Sequence, residues 1–196
     1  MAGDTANQLL DAAQPLVQRR GYNAFSYKDL AAEVGIRTAS IHYHFPAKAD
    51  LAKALMARYL ESLRSALADI ELGSSSVVDR LGAFIELYRR TESSGAICLC
   101  GSLASDRETL PEPVQGVVED YLELSEGWVA DQIAEGVRTG ELDFPGDPAD
   151  AAASLLSGLQ GGLILSRARP GCPHLDTVSR MFFRSLGVSG SDPARV

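Results

Sequence analysis

Residues 26–51, SYKDLAAEVGIRTASIHYHFPAKADL, read as two short helices about a tight turn. Ser26 can accept from the backbone N–H groups that open a helix, and Asp29 stands three residues on as its capping partner. Leu30, Ala31 and Val34 give that helix one apolar stripe. Gly35 stops it, because glycine enters the left-handed conformation at no steric cost. Thr38 can cap a second helix, Ile41 and Phe45, four apart, turn one face of it to a core, and Pro46 ends it. The outer face keeps Arg37, Thr38, Ser40, His42, Tyr43 and His44, with Lys48 just beyond. A helix, a glycine turn and a second helix with such a face describe a helix-turn-helix, whose second helix enters the major groove of DNA. The same spacing also describes a helical hairpin with a solvated face.

The residues themselves discriminate. IHYHFPAKADL, with DLAAEVGI before it, resembles the N-terminal DNA-binding domain of TetR-type transcriptional regulators. In that family an aromatic-rich HF, followed by proline and K..L, closes the recognition helix and opens the next one. The family's GY..FS..DLA is matched by Gly21, Tyr22, Phe25, Ser26, Asp29, Leu30 and Ala31. Two positions depart from it: Arg37 stands where a small N-cap residue is usual, and His42 where a tyrosine is usual. Both face the groove, so the bases read do not transfer. The resemblance spans essentially the whole chain, is strongest over residues 8–55, and is loose beyond.

Charge is unevenly placed. Residues 1–53 balance at +1 and the remainder at −9, for a net charge of −8 over 196 residues. An acidic protein of this kind is no general nucleic-acid coat, so DNA contact has to be local to the N-terminal end. No run of eighteen apolar residues exists and no basic segment leads into an apolar one, so neither secretion nor membrane spanning is expected. Three cysteines are too few for a disulfide scaffold, which points to a reducing cytoplasm.

Apolar period carries helix through the rest. Residues 1–6 read as a frayed end, and Asn7–Arg20 as an amphipathic helix that Pro15 should kink or make irregular. A long helix from Ala47 to about Glu71 carries Leu51, Leu55, Tyr59, Leu63, Leu67 and Ile70 on one side, and is the natural lever between two domains. Further helices are expected over Ser76–Glu92, Gly95 to about Asp106, Pro111–Thr139, Pro148–Ala168 and His174–Leu186, with most Pro and Gly between them. Inside the fourth of these lie Gly158, Gly161 and Gly162. Each costs about 1 kcal/mol relative to alanine, so three within five residues imply close backbone approach. That approach is either to the chain's own neighbouring helix or to a second copy. The resemblance favours a dimer seam through the last two long helices, with Val178, Met181, Phe182 and Leu186 of the final one.

Candidate chemistry is sparse. His42 and His44 diverge by about 200° on a helix, so one metal ion cannot take both, and no metal or cofactor is expected. Lys28, Arg37, Thr38 and Ser40 are candidates for base-edge or adjacent contacts, His42 for a base or a neighbouring sugar, and Tyr43, His44 and Lys48 for phosphate. Cys98 and Cys100 point apart if helical, one inward and one outward. They read either as small buried hydrophobes or as a sensor whose thiol is activated near a helix start. Their segment, ICLCGSLA followed by a Leu-Pro, resembles a subgroup of the family that includes sensors of reactive aldehydes and unsaturated electrophiles. Cys172 reads as a loop residue and stays open as a cross-chain partner for either. Phe84, Tyr88, Tyr121, Trp128 and Gln160 are candidate walls of an effector cavity, although aromatic residues at helical spacing also make ordinary cores.

The expected protein is all-α. Residues 1–50 form a three-helix DNA-binding domain, joined by a long helix to an effector-binding and dimerisation domain over 51–196. It is expected to be a homodimeric, cytoplasmic repressor, released from a palindromic operator on double-stranded DNA by a small-molecule effector or by cysteine modification. No nucleophile elbow or phosphate loop exists, and Gly158–Gly162 follows no strand, so no enzyme is expected. The alternative is a helical protein-protein adaptor that binds no DNA.

Overall fold

The computed structural model describes residues 2–188. In chain order it has α1 (Ala2–Arg20), α2 (Tyr27–Val34), α3 (Thr38–His44), α4 (Lys48–Gly73), α5 (Val77–Ser93), α6 (Leu99–Ser105), one 3₁₀ turn (Arg107–Thr109), α7 (Glu112–Thr139), α8 (Pro148–Ala168) and α9 (His174–Ser185). Among the described residues every regular element is a helix, and none is long and apolar enough to cross a membrane.

Two segments differ from their expected form. The N-terminus is helical from Ala2, not frayed through residue 6, and residue 1 lies outside the described residues. Helix α1 also runs through Pro15 without a break. Proline removes one N–H, but Leu9, Ala13 and Val17 are buried on both sides of it and hold the helix across the gap. Beyond α5, Gly95 takes φ +69°, and the chain stays non-helical until α6 opens at Leu99. The expected helix from Gly95 is therefore a seven-residue one.

By packing, the chain forms two compact units: Met1–Ser62 with Cys98–Tyr121, and Leu63–Ile97 with Leu122–Val196. In the first, α1 packs on α2 and α6, and α2 on α3, around Leu9, Val17, Leu30, Ile41 and Leu55. In the second, α5, α8 and α9 pack on one another around Leu81, Phe84, Leu159, Leu163, Phe183 and Leu186. A Cβ on Gly158 would meet Val178 Cγ1 at 3.0 Å, and one on Gly162 would meet Leu175 Cδ2 at 2.7 Å, whereas Gly161 faces open space. Two of the three glycines thus serve the approach of the chain's own α9. Phe182 and Leu186, expected in a seam, are buried within the unit.

Glu141, from the connection between α7 and α8, caps α5. Its carboxylate accepts from Ser76 Oγ at 2.6 Å, Val77 N at 2.9 Å and Val78 N at 3.0 Å. Burial pushes its pKa up, but the Ser76 hydroxyl, the two N–H groups and the Arg80 charge outweigh it and leave the pKa lowered. A lowered carboxyl contributes stability above the ordinary carboxylate range and loses it as pH falls through the folded value. Glu141→Ala is expected to cost about 1 kcal/mol, in line with loss of a helix cap. The urea midpoints of parent and variant at neutral pH should differ, and should converge as pH falls through the lowered value of the Glu141 carboxyl.

Candidate nucleic-acid interface

Local chemistry builds the reader in the way its sequence implies. Ser26 Oγ accepts from Asp29 N at 3.3 Å, and the Asp29 carboxylate accepts from Ser26 N at 2.8 Å, a reciprocal capping box that opens α2. Hydrogen bonds from the Ser26 hydroxyl and then the Ser26 N–H hold the Asp29 carboxyl below its ordinary range. Gly35 closes α2 at φ +74°, donating to Ala31 O at 2.9 Å. Nothing lies within 4 Å of a Cβ built there, so the left-handed backbone and not space calls for glycine.

Helix α3 opens with Arg37 as its N-cap, not Thr38, which is the first helical residue. The arginine side chain makes no capping hydrogen bond. Ile41 and Phe45 are buried and seat the helix. Lys28, Arg37, Ser40, His42 and Tyr43 are exposed, while Thr38 and His44 are half-buried. Tyr43 is 80% exposed and touches the edge of the His44 ring, with centroids 5.1 Å apart. An aromatic ring left this open has no part in the core, which leaves it available to an external surface.

Behind that face, Tyr27 fixes the end of α3. Its hydroxyl donates to Phe45 O at 2.9 Å, and burial first, then the Asp50 charge and Tyr22, push its pKa up to about 12. His42 lies edge-on to Tyr27 at 4.9 Å, and its Nδ1 lies 3.1 Å from Pro46 O.

Lys48, expected to reach a phosphate, is turned inward. Its ammonium donates to Phe25 O and stands 4.6 Å from the Tyr22 ring centroid and 4.2 Å from that of Phe25. Burial lowers its pKa, against the opposing charges of Asp106 and Asp29. Asp106 secures the same corner from the end of α6, accepting from Tyr22 N at 2.8 Å and Asn23 Nδ2 at 3.0 Å. Asn23 Nδ2 also donates to Thr109 Oγ1 at 2.8 Å. Asp106 escaped the sequence reading because its partners lie more than 80 positions away and no local spacing marks it.

The candidate effector and sensor residues fall into two groups, one in each packed unit. In the first, Cys98 is the N-cap of α6 and Cys100 lies within that helix, and both are buried. The expected outward-facing thiol is therefore absent. Tyr59 OH lies 3.7 Å from Cys98 Sγ, and the Tyr59 and Tyr121 rings stack at 5.1 Å. Burial, then the Cys98 charge, pushes the Cys100 thiol well above its ordinary range, the reverse of activation. In the second group, Phe84 stacks on Trp128 at 5.6 Å and lies 5.6 Å from Tyr88, all three buried. Trp128 Nε1 donates to Glu71 Oε1 at 2.7 Å. Gln160 is half-buried, and its Nε2 finds no hydrogen-bond partner among the described residues. Cys172 lies in the turn before α9, half-buried.

The model for bacterial regulatory proteins of the tetR family matches residues 9–55, the segment that holds the reader. A TetR-family transcriptional regulator from Agrobacterium tumefaciens is 30% identical, with a TM-score of 0.89 over 94% of this chain and 98% of that one. The chain belongs to the TetR family. A second TetR structure, from Legionella pneumophila, is 32% identical with a TM-score of 0.81, covering 91% and 95% of the two chains. The transcriptional regulator LmrA of Bacillus subtilis is 25% identical over 84% of this chain and 87% of its own length. The match to the repressor KstR2 of Mycobacterium tuberculosis, at 24% identity, covers 68% of this chain and 66% of KstR2, just under two thirds of that relative. TetR-family proteins are DNA-binding transcriptional regulators and not enzymes, so the adaptor reading falls away.

Proposed function

We propose that this TetR-family protein is a repressor that binds a palindromic operator as a homodimer and is released by a small-molecule effector. Residues 1–50 serve as its DNA-binding domain and 51–196, of which 189–196 lie outside the described residues, as its effector and dimerisation domain. The observation that carries the reading is α3 itself: Ile41 and Phe45 anchor one side, and Arg37, Ser40, His42 and Tyr43 stand exposed on the other. In this arrangement Lys28, Arg37, Thr38 and Ser40 lie at or beside base edges, and Tyr43 and His44 lie against phosphate. Lys48 acts from behind as a positioning residue.

Dimerisation supplies the second reader. Ile164, Leu165 and Met181 are 48%, 51% and 56% exposed on α8 and α9. A groove of about 480 Å³ between these helices is floored by Ala151, Leu155, Val178 and Phe182. A second copy of the same two helices fits this surface, because a twofold contact is self-complementary and places two recognition helices about 34 Å apart, one DNA turn, or somewhat further.

The effector reading rests on Phe84, Tyr88 and Trp128 with Gln160, a set suited to an uncharged aromatic or alicyclic molecule. Cys98, Cys100 and Tyr121 make the weaker, thiol-based variant, since both thiols are buried and burial raises the pKa of Cys100, which makes it a poor nucleophile. Release demands tighter binding to the DNA-incompetent form, since equal affinity for both shifts nothing. Trp128 is the protein's one tryptophan, so its emission reports on this cluster. An effector found by screening should change that emission and, at the same concentration, dissociate the operator complex. Dissociation by an electrophile in the parent but not in the Cys98→Ser, Cys100→Ser variant would favour the thiol route instead. Selection of bound fragments from the source genome tests the whole proposal, and enrichment of no sequence would overturn it.

A further inference from the structure

The His42 ring can be assigned a hydrogen-bonding polarity, and that polarity has consequences for what it reads. Its Nδ1 lies 3.1 Å from Pro46 O. A carbonyl oxygen only accepts, so Nδ1 carries the proton and donates. The edge-on contact with Tyr27 at 4.9 Å holds the ring in that orientation, and Tyr27 is itself fixed by its bond to Phe45 O. In a neutral imidazole the other nitrogen is then an acceptor and nothing else. Nε2 makes no hydrogen bond among the described residues, and the ring is exposed on the outer side of α3.

We propose that His42 is a specificity-determining residue that accepts, through Nε2, a hydrogen bond from the exocyclic amino group of an adenine or a cytosine in the major groove. The inference rests on the DNA-binding reading above and deepens it. Phosphate oxygens and the deoxyribose ring oxygen have no proton to give, so a neutral Nε2 cannot bond to the backbone. In the major groove the hydrogen-bond donors are adenine N6 and cytosine N4. Guanine offers N7 and O6, and thymine offers O4 and a methyl group, neither of which can complete the bond.

The test uses the full chain at about pH 8, above the ordinary imidazole range. Binding sites are selected from random duplexes for the parent, for His42→Phe, which keeps a ring without its nitrogens, and for His42→Gln, which restores an acceptor. Thermal unfolding of each variant checks that the exposed substitution leaves the fold in place. The expected result is that His42→Phe loses preference at one adenine or cytosine per half-site and at no other position, with His42→Gln restoring part of it. Replacing that base by purine or by pyrimidin-2-one, which lack only the amino group, should weaken the parent about five- to tenfold, the scale of one hydrogen bond, and leave His42→Phe unaffected. An unchanged preference in His42→Phe, or a parent whose affinity does not change when the amino group of that base pair is removed, overturns the proposal while DNA binding stands. If the parent enriches no sequence, the DNA-binding reading itself has failed and this inference with it.

Discussion

Exchanging both Ile164 and Met181 for glutamate is expected to give a folded monomer whose affinity for a full palindromic operator falls by about 10²–10⁴, the gain that linking two binding modules confers. Along α8 the outward positions Ser154, Ser157, Gly161 and Ile164 follow steps of three and four residues, and Met181 continues the surface on α9. Both substituted side chains are about half exposed in the single chain, so a carboxylate at either costs little there. Across a twofold axis each change occurs twice. Four carboxylates in an apolar seam carry a desolvation penalty and mutual repulsion. Light scattering should report half the parent's mass, and gel shifts should show weak occupation of half-sites without cooperativity. A variant that remains dimeric and binds at full strength would place the seam elsewhere.

That seam shows where sequence reasoning reaches and where it stops. The reader was legible because its determinants are local: Ser26 and Asp29 cap α2 three residues apart, Gly35 supplies the left-handed turn, and Ile41 and Phe45 share one helical face. The glycines of α8 were legible as a close approach but not as to what approaches. Gly158 and Gly162 meet Val178 and Leu175 of the same chain, and a helical pattern carries no sign of which neighbour fills the space. The spacing of Cys98 and Cys100 points their thiols apart on an isolated helix. The pair instead straddles the start of α6 where other helices cover both, so exposure could not be taken from spacing. Asp106 is the extreme case, a carboxylate whose task is set entirely by a loop 84 residues earlier.

Lys48→Ala is expected to destabilise the protein by about 2 kcal/mol, from the loss of a charge-assisted hydrogen bond and of two cation–π contacts that overlap in what they contribute. For a chain of this length that is a fall in Tm of roughly 4–8 °C. The Phe25 carbonyl would lose its ammonium partner in a buried corner, and the Tyr22 and Phe25 rings would lose the cation they face. Asp106 and Asp29, which oppose the lowering of the Lys48 pKa, would lose that neighbouring charge. Operator affinity should fall as well, through a reader held less firmly. Its dependence on salt decides between the two roles open to this lysine. A cation on a phosphate contributes about 0.9 to the slope of log K against log salt, so deleting such a contact flattens that slope by nearly one unit. A lysine that acts from behind the reader releases no counterions, and its loss leaves the slope unchanged. Lys48→Met sharpens the distinction, because it keeps the apolar stem over the two rings and removes only the charge. It should recover part of the stability, again with the parental slope. A variant as stable as the parent but with a slope lower by about one would return Lys48 to the DNA backbone.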